Sequence, residues 1–249
     1  MTSQSHTRFP PGKSLSGELA AAMRRIENFG TTYPEGYYET LLDKYTREGV
    51  RYPHILMILG IPRINNHFFY ERALRHEGTL LDYGCGTGDN VRRLIRDGFP
   101  QNRISAFDIN WSSIDLGFDL YMDREKIRNL FSVSKSFPFE NNAFNLVYSA
   151  SVIHVICDDY ELVEYLKNAY NALTPGGVFF GSTLGLKKGA TRTSDKWGPP
   201  RVMPEDLLRK YITGAGFNIP KIVQRQHLPH YIDDINMGFF EFCTVKPAY

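Results

Sequence analysis

Acid and glycine alternate through Asp82-Tyr83-Gly84-Cys85-Gly86-Thr87-Gly88, the stretch of this chain best suited to holding a ligand. A short apolar run, Leu80-Leu81, leads into it, and Val91, Leu94 and Ile95 share one face of the segment that follows. The pattern reads as buried strand, glycine turn and amphipathic helix. Such a unit brings backbone N–H groups and a helix N-terminus up to a ligand, with glycine wherever a Cβ would block the turn or the ligand. The spacing is D-x-G-x-G-x-G, not the G-x-G-x-x-G sized for a pyrophosphate. An acid just before the first glycine suits a positively charged group, such as an amino-acid ammonium. Cys85 has two readings, a nucleophile or a small side chain filling a tight turn, and the second is preferred.

Downstream residues offer further chemistry. Asp108 ends a second apolar run, Ile104 to Phe107, about 20 residues beyond the glycines. A carboxylate there could accept both hydroxyls of a ribose or could cap the next helix. His154 follows a fourth apolar run, where it could act as a general base, touch a substrate or be a satisfied structural histidine. Gln226, His227, His230, Tyr231, Asp233 and Asp234 cluster in one loop. Nothing resembles H-E-x-x-H or a cysteine cluster, so a solvated loop is preferred to a metal site. His227 and His230 are kept as candidate substrate contacts, and no metal is expected.

Four segments in register resemble the class I S-adenosylmethionine (SAM)-dependent methyltransferases. Thr79 to Asn90 resembles their motif I. Asp108 matches the ribose-binding acid. Ser136-Phe137-Pro138-Phe139 through Phe144-Asn145-Leu146-Val147 is similar to x-L-P-F-x-x-x-x-F-D-x-V, and Leu173-Thr174-Pro175-Gly176-Gly177 to L-x-P-G-G. The resemblance runs from about Thr79 to the C-terminus. It implies SAM as cofactor, held by Asp82, Gly84, Cys85, Gly86, Gly88, Asp108, Ile109, Ser134 and Ser149. Two departures stand out. Asn145 replaces the usual aspartate, and the acid that commonly receives the adenine amino group is missing near Val133 and Ser134, where the Ser134 hydroxyl or a backbone carbonyl could serve. Ser149-Ala150-Ser151-Val152 stands where amino-methylating enzymes carry N-P-P-Y or D-P-P-Y, and where metal-dependent catechol-type enzymes carry carboxylates.

These residues need a scaffold, and the alternation of strands and helices from Thr79 onward predicts one. The expected fold is α/β, an open seven-stranded, mostly parallel sheet with a helical N-terminal cap over its carboxyl edge. Residues 1–78 form the cap or lid, and 79–249 the core. In the cap, Ser14 to Phe29 reads as a helix. A second begins at a capping box of Thr32 and Glu35 and stops at Gly49. Tyr33, Tyr37, Tyr38 and Tyr45 recur there at helical spacing. They read as core, or as a lid whose rings and hydroxyls steady a sulfonium cation.

Composition limits the rest. A chain of 249 residues with 42% hydrophobic content suits one sizeable domain with a packed core. A formal charge of +2 gives no strong field for nucleic acid. Three cysteines make no disulfide framework, and no apolar run is long enough to span a membrane, so a cytoplasmic setting is expected. The implied function is SAM-dependent methyl transfer to the N, O or C of a small molecule. RNA or protein methylation, a non-catalytic SAM-binding regulator and a SAM-dependent pericyclase-type enzyme are the alternatives.

Overall fold

Leu80–Tyr83 (β1) is buried at every position, as a strand covered on both faces must be. It lies near the centre of an eight-stranded sheet. The other strands are Ile104–Asp108 (β2), Phe131–Val133 (β3), Phe144–Ala150 (β4), Leu173–Leu186 (β5), Met203–Pro204 (β6), Lys221–Arg225 (β7) and Met237–Val245 (β8). Their order is β3-β2-β1-β4-β5-β8-β7, with β6 paired to the far end of β5. Only β8 runs antiparallel to its neighbours, so β7 is parallel to β5. The computed structural model describes Phe9 and residues 12–50, 53–188, 202–225 and 236–248.

The helices are Leu15–Glu27 (α1), Tyr37–Glu48 (α2), Ile55–Ile58 (α3), Tyr70–Leu74 (α4), Asp89–Arg96 (α5), Trp111–Tyr121 (α6), Arg124–Ile127 (α7), Asp159–Ala172 (α8) and Glu205–Gly214 (α9). One face of the sheet presents Leu80, Ala106, Leu146, Tyr148 and Phe180 to α4, α5 and α6. The other presents Leu81, Val147 and Phe179 to Leu162 and Leu166 of α8 and Leu208 of α9. This period-2 partition gives both faces of a parallel sheet an apolar cover. A third cluster joins Leu19, Ile26, Leu41, Leu56 and Leu59 of the N-terminal region to Leu116 and Leu120 on the outer side of α6. The N-terminal region is thus divided. Helices α1 and α2 flank α6, while the segment from α3 to α4 reaches over the sheet.

Three local expectations change. Helix α2 starts after the left-handed Gly36, so Thr32 and Glu35 precede it and form no capping box. Strand β5 is longer than the Val178–Ser182 core expected and gains the two-residue partner β6, which makes eight strands of the seven. The Thr174-Pro175-Gly176-Gly177 turn bulges out of β5, since Leu173 pairs with Phe144 and the next matched pair is Val178 with Leu146. Asn145 tethers this bulge. Its Oδ1 accepts from the Thr79 N–H at 3.0 Å, and its Nδ2 donates to Thr174 Oγ1 at 3.3 Å. A carboxylate could not donate there, so the amide sets the direction of this contact.

Candidate functional site

The chain leaves β1 for α5 on one face of the sheet and β4 for α8 on the other. Divergent connections open a crevice at the carboxyl ends of the two strands. The glycine loop fills its β1 side. Gly84, Gly86 and Gly88 have φ of 79°, 55° and 76°. A Cβ on Gly84 would strike Val152 at 2.3 Å, and one on Gly88 would strike Phe131 at 2.7 Å. At Gly86 the nearest atom is Ile55 Cδ1 at 3.7 Å. The outer two glycines therefore serve packing, and the middle one faces open space beneath the N-terminal segment. Cys85 is buried between them. Burial, followed by Asp108 and Asp82, pushes its thiol well up, which suits the turn-filling reading and not a thiolate nucleophile.

Asp82 and Asp108 flank the loop and differ sharply. Asp108 Oδ2 accepts the Gly86 N–H at 2.8 Å, and its Oδ1 accepts the Asn110 N–H at 2.9 Å. The helix-capping role falls to Asn110, whose side chain accepts from the Ser112 N–H at 3.1 Å. Asp82 is fully buried, and neither oxygen has a hydrogen-bond partner. Asn90 lies near enough to favour the carboxylate but makes no bond of normal geometry to it. Burial, reinforced by the charge of Asp108, raises the Asp82 carboxyl to about 8. A buried carboxyl without a donor costs about 1–3 kcal/mol or more. It calls for a ligand.

Past β2, Ile109 is 66% exposed, and beside it on β3 is Val133 at 36%. Together they form an apolar shelf at the crevice rim. Ser134 turns its Oγ back to accept the Ser136 N–H at 3.2 Å. Ser149 lies on the opposite face of the sheet, fully buried, with its Oγ 2.8 Å from the Tyr165 hydroxyl, which donates to Tyr83 O at 3.0 Å. It is engaged in the core under α8.

His154 sits at the edge of β5. The Leu184 N–H donates to its Nδ1 at 3.3 Å, and Thr183 Oγ1 lies 3.1 Å from the same atom. Its proton is thereby assigned to Nε2. Burial first, then the charges of Arg63 and His54, lowers the ring to about 3. A group held neutral to that pH takes up a proton poorly, which counts against a general base. A satisfied histidine fits what is seen.

The cap tyrosines are engaged by the protein itself. Tyr33 donates to Leu120 O at 2.6 Å, Tyr37 to Asp119 O at 2.8 Å and Tyr45 to Asp119 Oδ2 at 2.6 Å. Tyr38 donates to Ser16 O at 3.1 Å. Their hydroxyls dock α2 onto the end of α6 and onto α1, and none is turned to the glycine loop. A cleft of about 130 Å³ lies between α2 and α6, lined by Tyr45, Trp111 and Ser113 among others, and no residue of the glycine loop lines it. His227 and His230 lie outside the described residues. Among the described residues no group of His, Cys, Asp or Glu could hold a metal ion, and no helix is long and apolar enough to cross a membrane.

Several residues that shape the crevice carried no signal in the sequence. Asp89 Oδ1 accepts the Gly60 N–H at 2.6 Å, and Asn90 Oδ1 accepts the N–H groups of Arg63 and Ile64 at 3.0 and 3.2 Å. The start of α5 thus pins the N-terminal segment over the crevice. His67 donates its Nε2 proton to Gly181 O and Phe242 O at 3.1 and 3.2 Å and accepts the Phe69 N–H on Nδ1, which ties the same segment to the sheet. The buried hydroxyls of Tyr148 and Ser182 also point into this region. Only a polar residue in an apolar strand could have marked them.

Known proteins share this architecture. Residues 80–177 match the family model described as a methyltransferase domain. The methyltransferase adrK of Penicillium rubens is 31% identical over 103 residues, covering 39% of this chain and 37% of its own length. The O-methyltransferase atr3 of Stereocaulon alpinum is 42% identical over 53 residues, 21% of this chain and 15% of its own. The chain thus spans less than two fifths of either relative. A Haemonchus contortus phosphoethanolamine N-methyltransferase 2, solved with phosphomonomethylethanolamine and S-adenosylhomocysteine, superposes with a TM-score of 0.58 at 19% identity, over 74% of this chain and 52% of that one. Residues 80–177 thus match a methyltransferase-domain model, and the described chain has the Rossmann-like fold seen in that N-methyltransferase structure.

Proposed function

We propose that this protein transfers the methyl group of SAM to a small-molecule acceptor. The observation that carries the reading is Asp82, a fully buried and unpartnered carboxyl at the mouth of a glycine loop whose other acid, Asp108, is already aligned by backbone N–H groups. The residues present fit SAM. Asp82 would take the ammonium, Asp108 the ribose hydroxyls, and the Ile109–Val133 shelf one face of the adenine. Gly86 leaves room for the chain between them. When bound, SAM supplies an activated methyl on a cationic sulfur.

The chain's own contribution is alignment and dryness. Asp89 and Asn90 hold the segment from Gly60 to Ile64 over the crevice, which excludes water and keeps an acceptor in line with the methyl. Among the described residues near the crevice none has the character of a strong base, which suits an acceptor atom that arrives with its lone pair free. A relative named for O-methylation and a structural neighbour solved with phosphomonomethylethanolamine support a small-molecule acceptor.

Calorimetry with S-adenosylhomocysteine tests the site, and transfer of a labelled methyl into a metabolite extract tests the reaction. Asp108→Ala should lose affinity by about 1.5–3 kcal/mol for each charge-assisted bond removed. Unchanged affinity in a folded Asp108→Ala variant defeats the binding assignment. Tight binding with no labelled product points to a regulator.

A further inference from the structure

The cofactor reading leaves one buried cation behind the glycine loop unassigned. Arg92 closes the first turn of α5, its backbone N–H on Gly88 O at 3.2 Å. Helical side chains lean toward the N-terminus, and this one reaches back past the start of its helix. Nη1 donates to Thr87 O at 2.5 Å, while Nε and Nη2 donate to the two oxygens of Asp123 at 2.7 and 2.8 Å. Arg92 is 7% exposed. Its guanidinium carbon lies 4.1 Å from the centre of the Tyr121 ring, with the rings of Phe118 and Phe131 at 5.6 and 5.9 Å. Asp123 follows Met122, which ends α6 in the left-handed region with φ 54°, unusual for a residue with a side chain.

Thr87 stands between Gly86, the open position of the loop, and Gly88, its last glycine. The Thr87–Gly88 peptide is fixed at both ends. The Gly88 N–H donates to Cys85 O at 2.9 Å, and Thr87 O accepts from Arg92. The Thr87 hydroxyl donates to Asp89 Oδ2. Helix α6 backs the same carbonyl, since a Cβ on Gly117 would lie 2.1 Å from Thr87 O. Arg92, Asp123 and Gly117 thus converge on one carbonyl. Stability alone does not ask for this. A buried ion pair adds little to folding, and apolar side chains of similar volume often serve as well or better. A planar guanidinium with three donors in fixed directions is instead suited to orienting a peptide.

We infer that Arg92, clamped by Asp123, is a positioning residue for the cofactor: it fixes the Thr87–Gly88 peptide and so sets the glycine loop relative to Asp82 and Asp108. This rests on the SAM-binding reading of the loop and specifies what holds its geometry. Arg92 itself is set back behind Thr87 and Gly88, so it acts through the backbone. Small displacements of such a loop weaken binding without unfolding the sheet. Lysine would keep the charge but not the three directed donors.

Calorimetry of the full chain with S-adenosylhomocysteine tests this without an acceptor. Arg92→Lys should bind about tenfold more weakly than the wild type, with little change in melting temperature. Arg92→Met combined with Asp123→Leu removes both charges and strands neither. That double variant should stay folded and lose at least as much affinity. In both, the amide resonance of Gly88, whose peptide carries the Thr87 carbonyl, should shift in the ligand-free protein. Affinity within about twofold of the wild type in folded Arg92→Lys, or an unmoved Gly88 amide, overturns the inference and leaves the cofactor reading intact. Unfolding of both variants also overturns it, by showing the ion pair to be structural. A wild type that does not bind S-adenosylhomocysteine defeats the cofactor reading, and the inference with it.

Discussion

Two regions of this molecule bury tyrosines and acids, and they treat them in opposite ways. On the flank where α2 meets α6, the hydroxyls of Tyr33, Tyr37, Tyr38 and Tyr45 each have an acceptor, and Asp119 takes bonds from Tyr45 and Lys44 at 2.6 Å each. Over the carboxyl ends of β1, β4 and β5, Asp82, Tyr148 and Ser182 are as deeply buried but have no partner. Folding gains from the first arrangement and loses to the second, since each unmet buried polar group costs free energy. Residue type and burial do not distinguish a structural site from a ligand site here. The partner does. Residues that lower stability without a ligand are the ones to assign to function.

The strongest test of this contrast is Asp82→Asn. In the unfolded chain Asp82 releases its proton near 3.8, and in the folded protein near 8. The folded form therefore prefers the protonated state. Stability is undiminished below pH 4 and is lost progressively as the pH rises to 8, by up to about 1.4 kcal/mol per pH unit. Replacing the acid with its neutral isostere removes this penalty. Urea denaturation at pH 8 should show Asp82→Asn more stable than the wild type by roughly 2–5 kcal/mol, with the gain vanishing near pH 4. The same variant should bind S-adenosylhomocysteine poorly. A wild-type stability flat from pH 5 to 8 would mean that Asp82 has a partner after all.

Asp119→Ala should act in the reverse direction. It strands the Tyr45 hydroxyl, which is nearly buried, and frees Lys44. The ion pairs are partly exposed and contribute little. The stranded hydroxyl dominates, so the loss should be about 1–3 kcal/mol, with S-adenosylhomocysteine affinity unchanged. Tyr45→Phe added to that variant should restore part of the loss. No recovery in the double variant would show that the hydroxyl bond does not hold α2 in place.

Much of the scaffold could be read from the sequence, because buried parallel strands announce themselves as short apolar runs and the glycine loop by its spacing. Residues 104–108, 131–133 and 144–150 fall where those runs place them. What escaped was set by distant partners. The cap tyrosines bond to carbonyl and carboxylate groups of α6 74–87 residues away, which no periodicity encodes. The position of His154 was legible, but not its environment, because β5 runs past Ser182 and supplies the Leu184 N–H that occupies Nδ1. Tyr148 and Ser182 looked like ordinary strand residues, and their lack of partners exists only in three dimensions.

The smallest expected effect comes from the same chemical exchange made in reverse, on the neighbouring strand. Asn145→Asp on β4 restores the residue usual in the resembling segment and changes almost no volume. Volume matters at this position, because a Cβ on Gly78 would already lie 2.2 Å from Asn145 Oδ1. The exchange strengthens the bond from the Thr79 N–H by making its acceptor charged. It removes the donation to Thr174 Oγ1, but a threonine hydroxyl can rotate and donate instead. Both contacts survive with one reversed, so the net change should be within about 1 kcal/mol at neutral pH. Asp82→Asn and Asn145→Asp alter single atoms on adjacent strands of one sheet, and only the partners differ. If urea denaturation finds the two effects equal in size, the distinction between partnered and unpartnered groups fails. If the first is several times the second, it stands.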